Sequence, residues 1–152
     1  MRFQLMVGAL VICLFASAVA FAATGSRGTA RPDLVVSSLT NPPRIVFPGN
    51  SFDVKDVTRN IGTAAARASV TQYYYVGTNG RRTAGGRHTV SPLRPHRAST
   101  RSAQALVPQT IEPGTYSFVA CADGTHVVRE SNERNDCRTA ATKLVVKKVP
   151  RV

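Results

Sequence analysis

From Asp33 onward the chain alternates apolar and polar side chains, and Pro, Gly and Asn recur between the alternating runs. Alternation at period two marks strands with one buried face. The pattern predicts strands over Asp33–Leu39, Arg44–Phe47, Ser51–Arg59, Ser69–Val76, Arg87–Leu93, Ser99–Val107, Thr115–Ala122 and Arg138–Lys147. Within Ser51–Arg59, Phe52 and Val54 share a face, and Asp56 and Thr58 follow at the same phase. In the Tyr73–Tyr75 run, Tyr73 and Tyr75 are expected in the core and Tyr74 on the opposite face. Asn79-Gly80 predicts a hairpin turn. Asn60 and Gly62 predict a turn with positive φ. Pro113-Gly114 ahead of Tyr116 predicts a corner in which the Tyr hydroxyl caps neighbouring backbone. Between Gly114 and Cys137 the chain reads as a strand ending in Cys121, a loop, a short strand, and an Asn/Asp/Glu-rich turn that delivers Cys137. No stretch sustains a helical period, so the expected class is all-β, an antiparallel sandwich of short strands.

Composition fits one such unit. The sequence has 152 residues and 43% hydrophobic content, enough for one core and one domain. Gly 11 and Pro 9 suit many turns, and Trp is absent.

The first residues read differently. Arg2 precedes an apolar run from Leu5 to Phe15, and small residues follow to Ala23, with Ala20-Phe21-Ala22 matching a cleavage site. Residues 1–22 are therefore expected to be a signal peptide, cleaved after Ala22. An uncleaved anchor is the competing reading, because Leu5–Ala23 is long enough to span a bilayer. Its flanking charges, Arg2 before and Arg27 and Arg31 after, do not favour a retained anchor with its N-terminus inside. Cys13 is preceded by Ile12, where lipidation needs a small residue. The expected organisation is signal 1–22, linker 23–32, one domain over 33–147 and a basic tail at 148–152, with no stable membrane anchor after cleavage. That leaves Cys121 and Cys137, and an even count in an exported chain predicts one disulfide.

Charge supplies the first candidate chemistry. The formal net charge is +12, and the stretch between Asp56 and Glu112 holds no acidic residue. It holds Arg59, Arg67, Arg81, Arg82, Arg87, Arg94, Arg97 and Arg101, with His88 and His96 among them. Arg81, Arg82, Arg87, Arg94, Arg97 and Arg101 fall on two neighbouring predicted strands and their loops, a candidate anion-binding face. Guanidinium forks suit phosphate and carboxylate. A solvated face that keeps the protein soluble is the competing reading.

Oxygen-rich side chains supply the second. Asp123, Glu130, Asn132, Glu133, Asn135 and Asp136 lie close together; Asp123, Glu130, Asn132, Asn135 and Asp136 form a candidate Ca²⁺ set. Their spacing does not match a calcium loop. The competing reading has the amides and carboxylates capping turns, with Glu130 and Glu133 paired to Arg129, Arg134 or Arg138. The chain contains no GxSxG, HExxH or Gly-rich phosphate loop, and its His residues are not spaced as metal ligands on any predicted strand. It is expected not to be an enzyme, and Ca²⁺ is the one cofactor weighed.

PDLVVSSL, PGNSFDVKDVTRNIGTAAA, TQYYYVG, GRHTVSPLRP and PGTYSFVACAD…VVRESNERNDC stand in an order that resembles the bacterial cell-adhesion-related domain, CARDB, over about Arg31–Val146. The resemblance implies an immunoglobulin-like antiparallel β-sandwich of about seven strands on exported or cell-surface proteins, acting in binding or spacing. Two features depart from antibody-type domains: there is no core Trp, and Tyr116 stands five residues before Cys121 rather than two. A domain standing alone has nothing to space. The expectation is a secreted, periplasmic or surface module contacting lipopolysaccharide phosphates or acidic polysaccharide, with nucleic acid less favoured. The alternative is an accessory subunit that pairs an edge strand with an envelope or extracellular protein.

Overall fold

The computed structural model describes residues 29–148. The expected signal segment, linker residues 23–28 and residues 149–152 of the basic tail lie outside the described residues. Eight strands run in order: β1 (Leu34–Leu39), β2 (Ile45–Val46), β3 (Ser51–Asn60), β4 (Ser69–Gly77), β5 (Arg82–Val90), β6 (Ala98–Leu106), β7 (Gly114–Cys121) and β8 (Cys137–Val146). They form a three-stranded sheet, β1-β3-β6, and a five-stranded sheet, β2-β8-β7-β4-β5. All pairings are antiparallel except that of the two-residue β2, which lies parallel to β8. The expected all-β sandwich is therefore what the chain forms. No helix among the described residues is long and apolar enough to cross a membrane.

The two inner faces meet in an aromatic core. Tyr73, Tyr75 and Phe118 are fully buried, and Tyr74 between the two tyrosines is not. Phe118 lies 5.3 Å from Phe52 and 5.6 Å from both Tyr73 and Tyr75, ring centre to ring centre. It occupies the middle of the core in a chain without Trp. Such offset and edge contacts each add roughly 1 kcal/mol to the area they bury. Leu34, Val54, Val90, Val107, Leu144 and Val146 surround them. At the edge of this cluster the Tyr116 hydroxyl donates to the Glu112 carbonyl at 2.7 Å, the expected corner.

Three local expectations are corrected. β5 begins at Arg82, not Arg87, and runs through the glycine pair. Gln72 pairs with Arg87 and Tyr74 with Ala84, so Gly85 and Gly86 together oppose Tyr73 as a β-bulge. A Cβ on Gly85 would stand 2.4 Å from the Tyr75 ring, so the glycines let an edge strand close over the aromatic core rather than end it. Second, neither Asn60 nor Gly62 has positive φ. Gly62 is required by contact instead: a Cβ there would stand 2.4 Å from the Arg31 carbonyl oxygen. Asn60 is a buried hub. Its Nδ2 donates to the carbonyls of Ala64 (2.8 Å) and Leu93 (3.0 Å), and its Oδ1 accepts from the N–H of Asp33 (3.1 Å) and Gly62 (3.0 Å). Third, the short strand expected between the cysteines is absent, because the Asp123 carboxylate takes the N–H groups of Val127 (3.2 Å) and Val128 (2.7 Å) that a ladder would use.

Candidate functional site

β5 and β6 are edge strands of different sheets, and they pack against each other along one side of the sandwich. All six candidate arginines lie on these strands or their flanking loops, and all six are exposed. Cross-strand partners share a face, so Arg82 opposite Val76 and Arg87 opposite Gln72 stand together on the outer face of the five-stranded sheet. Arg82 lies over the Tyr74 ring at 5.6 Å. The structure separates the others. Arg81 closes the β4–β5 hairpin and lines a cleft of about 310 Å³ with Tyr116 and Glu112. Arg94 and Arg97 sit at the opposite end, in the β5–β6 connection, where the Arg97 carbonyl accepts from Asn60 N–H at 2.9 Å. Arg101 is opposite Asp56 on the three-stranded sheet. Among the described residues no arginine forms an ion pair with a carboxylate; the pair present is His88–Asp56.

That pair belongs to a polar cluster between the sheets which the alternation pattern did not single out. Asp56 is fully buried, and its Oδ2 accepts from the Tyr73 hydroxyl at 2.5 Å and pairs with His88 Nε2 at 2.8 Å. Its Oδ1 has no partner. Thr58 and Thr71 bond across the same interface at 2.8 Å. Burial works against a charge on His88, but the hydrogen bond and negative charge of Asp56 outweigh it and hold the imidazole above its ordinary pKa, with Arg101 opposing. Burial, reinforced by Asp56, pushes the Tyr73 hydroxyl well up. The available signal was the phase of Asp56 and Thr58. A polar residue at a core position requires an internal partner, and the aromatic strand carries both partners.

The acidic segment lies at the mouth of the disulfide. Cys121 and Cys137 are direct cross-strand partners in β7–β8, and their sulfurs are bonded. The side chains of the Ca²⁺ candidate set are mostly taken up internally. Asp123 caps the backbone as above, Glu130 accepts from Leu34 N–H, Asn132 accepts from Arg134 N–H at 3.2 Å, and Asn135 donates to Asp33 at 2.9 Å. Glu133 accepts from Glu130 N–H at 2.8 Å, and neither glutamate pairs with an arginine. The structure instead brings His126, Glu133 and Asp136 together, with one ligand atom of each within 4.8 Å of the others. They line a cavity of about 350 Å³ with Tyr74, Arg82 and Arg134. Burial and neighbouring carboxylates push Asp136 up to about 6. Burial pushes Glu130 up to about 8 against the opposing Leu34 hydrogen bond, with Asp136, Glu133 and Asp123 adding to the rise.

Comparison with known proteins agrees with this architecture. A family model, CARDB, matches residues 31–140. The crystal structure of the CARDB domain of the Pyrococcus furiosus PF1109 protein, in complex with di-metal ions, is 21% identical, with 81% of this chain and 99% of that one covered and a TM-score of 0.55. The solution structure of the same domain gives 21% identity, 77% and 96% coverage, and a TM-score of 0.52. The 272–376 domain of a Methanosarcina acetivorans protein is 22% identical, with coverage of 77% and 93% and a TM-score of 0.53. At these identities the likeness is one of fold. No curated protein matches the chain.

Proposed function

The chain belongs to the CARDB family, and on that premise we propose that it is an exported, non-catalytic binding module of the cell-surface, adhesion-related kind, whose β5–β6 side contacts an anionic surface polymer. One observation carries the reading: six exposed arginines lie on β5, β6 and their flanking loops, two of them together on one sheet face, and no carboxylate among the described residues pairs with any of them. Unpaired guanidinium groups keep their full charge for an external anion, and each phosphate or carboxylate engaged releases a counterion. Arg82 and Arg87, together on the five-stranded sheet, form the centre of the contact. Lipopolysaccharide phosphates and acidic polysaccharides are the ligand classes we place first for an exported surface module, ahead of DNA.

The test is binding of the tag-free protein to lipopolysaccharide and to an acidic polysaccharide across a salt series. Affinity should fall linearly with salt on logarithmic axes and be abolished by Arg82→Glu with Arg87→Glu. Binding that ignores salt, or survives the double reversal, overturns the proposal. A second reading, an accessory subunit acting through an edge strand, rests on β6. Over its nine residues it pairs only with β3, and it exposes Leu106 at 52%. Self-association or a copurifying envelope protein, lost on Gln104→Pro, would favour it.

A further inference from the structure

We infer that His126, Glu133 and Asp136 form a binding site for one divalent transition-metal ion, such as Zn²⁺, across the mouth of the Cys121–Cys137 loop. The three side chains come from the two ends of one segment. His126 follows a turn closed by its own N–H to the Asp123 carbonyl at 2.7 Å, and Glu133 and Asp136 lie just before β8. Their ligand atoms lie within 4.8 Å of one another, so modest rotamer changes bring all three to a shared ion. Two of the groups face solvent, which gives an ion a way in and leaves coordination positions for water.

A second observation points to a ligand independently of this grouping. Asp136 is only 4% exposed, and its Oδ1 has no hydrogen-bond partner. A buried carboxylate oxygen left without a donor is costly. The backbone around it is already committed: the Asp136 carbonyl accepts from Val36 N–H (3.3 Å) and Ala122 N–H (3.0 Å), which fixes the residue at the cavity wall. A cation at the cavity would satisfy the carboxylate without disturbing those bonds. Neighbouring Asp33, Asp123 and Glu133 also act on Asp136 with negative charge, and an ion would relieve that repulsion.

The donor set selects the class of ion. Ca²⁺ prefers six to eight oxygen ligands, whereas one imidazole and two carboxylates suit Zn²⁺ and its neighbours, with water completing the shell. Arg82 and Arg134 line the same cavity. Their charge opposes a cation, so the site is open to exchange rather than a closed structural centre.

Isothermal titration of the tag-free chain with Zn²⁺ and with Ca²⁺ tests this. The expected result is one Zn²⁺ per chain, Ca²⁺ at least about tenfold weaker, and Zn²⁺ weakened at least about tenfold by His126→Ala and by Asp136→Asn. His126 is exposed, so its replacement costs only the strain of alanine at φ 51° and keeps the test open if the Asp136 variant does not fold. Absence of Zn²⁺ binding overturns the inference. So does Zn²⁺ binding that His126→Ala leaves unchanged, or that His96→Ala abolishes instead. Ca²⁺ binding tighter than Zn²⁺ overturns the ion class.

Discussion

Replacing His88 with alanine should destabilise the protein strongly at pH 6 and much less at pH 9. The Asp56 carboxylate has 0% exposure, and its bonds all fall on Oδ2, from Tyr73 and from His88 Nε2 at 2.8 Å. His88→Ala removes the charge partner and leaves a buried carboxylate with one hydroxyl. Breaking a buried pair from one side costs about 3–5 kcal/mol. The His88 side chain is 13% exposed, so water screens part of the interaction and the low end, about 3 kcal/mol, applies. The pH dependence follows from the raised pKa of folded His88. Unfolded His titrates near about 6.5. Below that value both states are protonated and the added stability is fully present; it is lost as pH rises through the higher folded value. Above the folded value only the neutral N–H to carboxylate bond remains, worth about 1.5 kcal/mol. Urea unfolding followed by circular dichroism, at pH 6 and pH 9 on wild type and variant, measures this directly. Equal losses at the two pH values, or a loss under about 1 kcal/mol at pH 6, would refute the assignment. Adding Asp56→Asn to the variant should recover part of the loss, because it removes the stranded charge.

Three further outcomes follow from the structure. Asn60→Ala should cost about 4 kcal/mol in urea unfolding, since it strands the N–H groups of Asp33 and Gly62 and two carbonyls in the interior. Gly62→Ala should cost about 2 kcal/mol by overpacking against the Arg31–Asp33 backbone, whereas Gly80→Ala, with open space but φ at 77°, should cost about 1 kcal/mol. Cys121→Ser with Cys137→Ser should lower stability by about 3 kcal/mol for a cross-link spanning 16 residues, visible as a lower melting temperature in scanning calorimetry that reductant no longer shifts.

Much of the architecture was legible in the one-dimensional pattern. Alternation placed Tyr73, Tyr75 and Val54 inward and Tyr74 outward because a strand permits only two faces. The disulfide followed from an even cysteine count, and the Tyr116 corner from the residues before it. Gly62 was misread because its reason is contact with the Arg31 backbone rather than conformation, and β5 was started too late because Gly85 is shaped by the Tyr75 ring, which is distant in sequence. The acidic segment was read as one oxygen-rich turn, and folding divided it. Asp123, Glu130, Asn132 and Asn135 became hydrogen-bonding partners of the protein itself, while Asp136 was gathered with His126 and Glu133.

The sequence by itself determined the class of structure and the sign of its surface, because strand periodicity, turn chemistry and charge are local properties of the chain. The tertiary structure alone decided which polar groups meet. Asp56 and His88 come from strands in different sheets, the six arginines divide between a sheet face, two ends and a seam, and Asn60 joins three segments. Those meetings depend on how two sheets stack and which edges touch, and no short-range pattern encodes that.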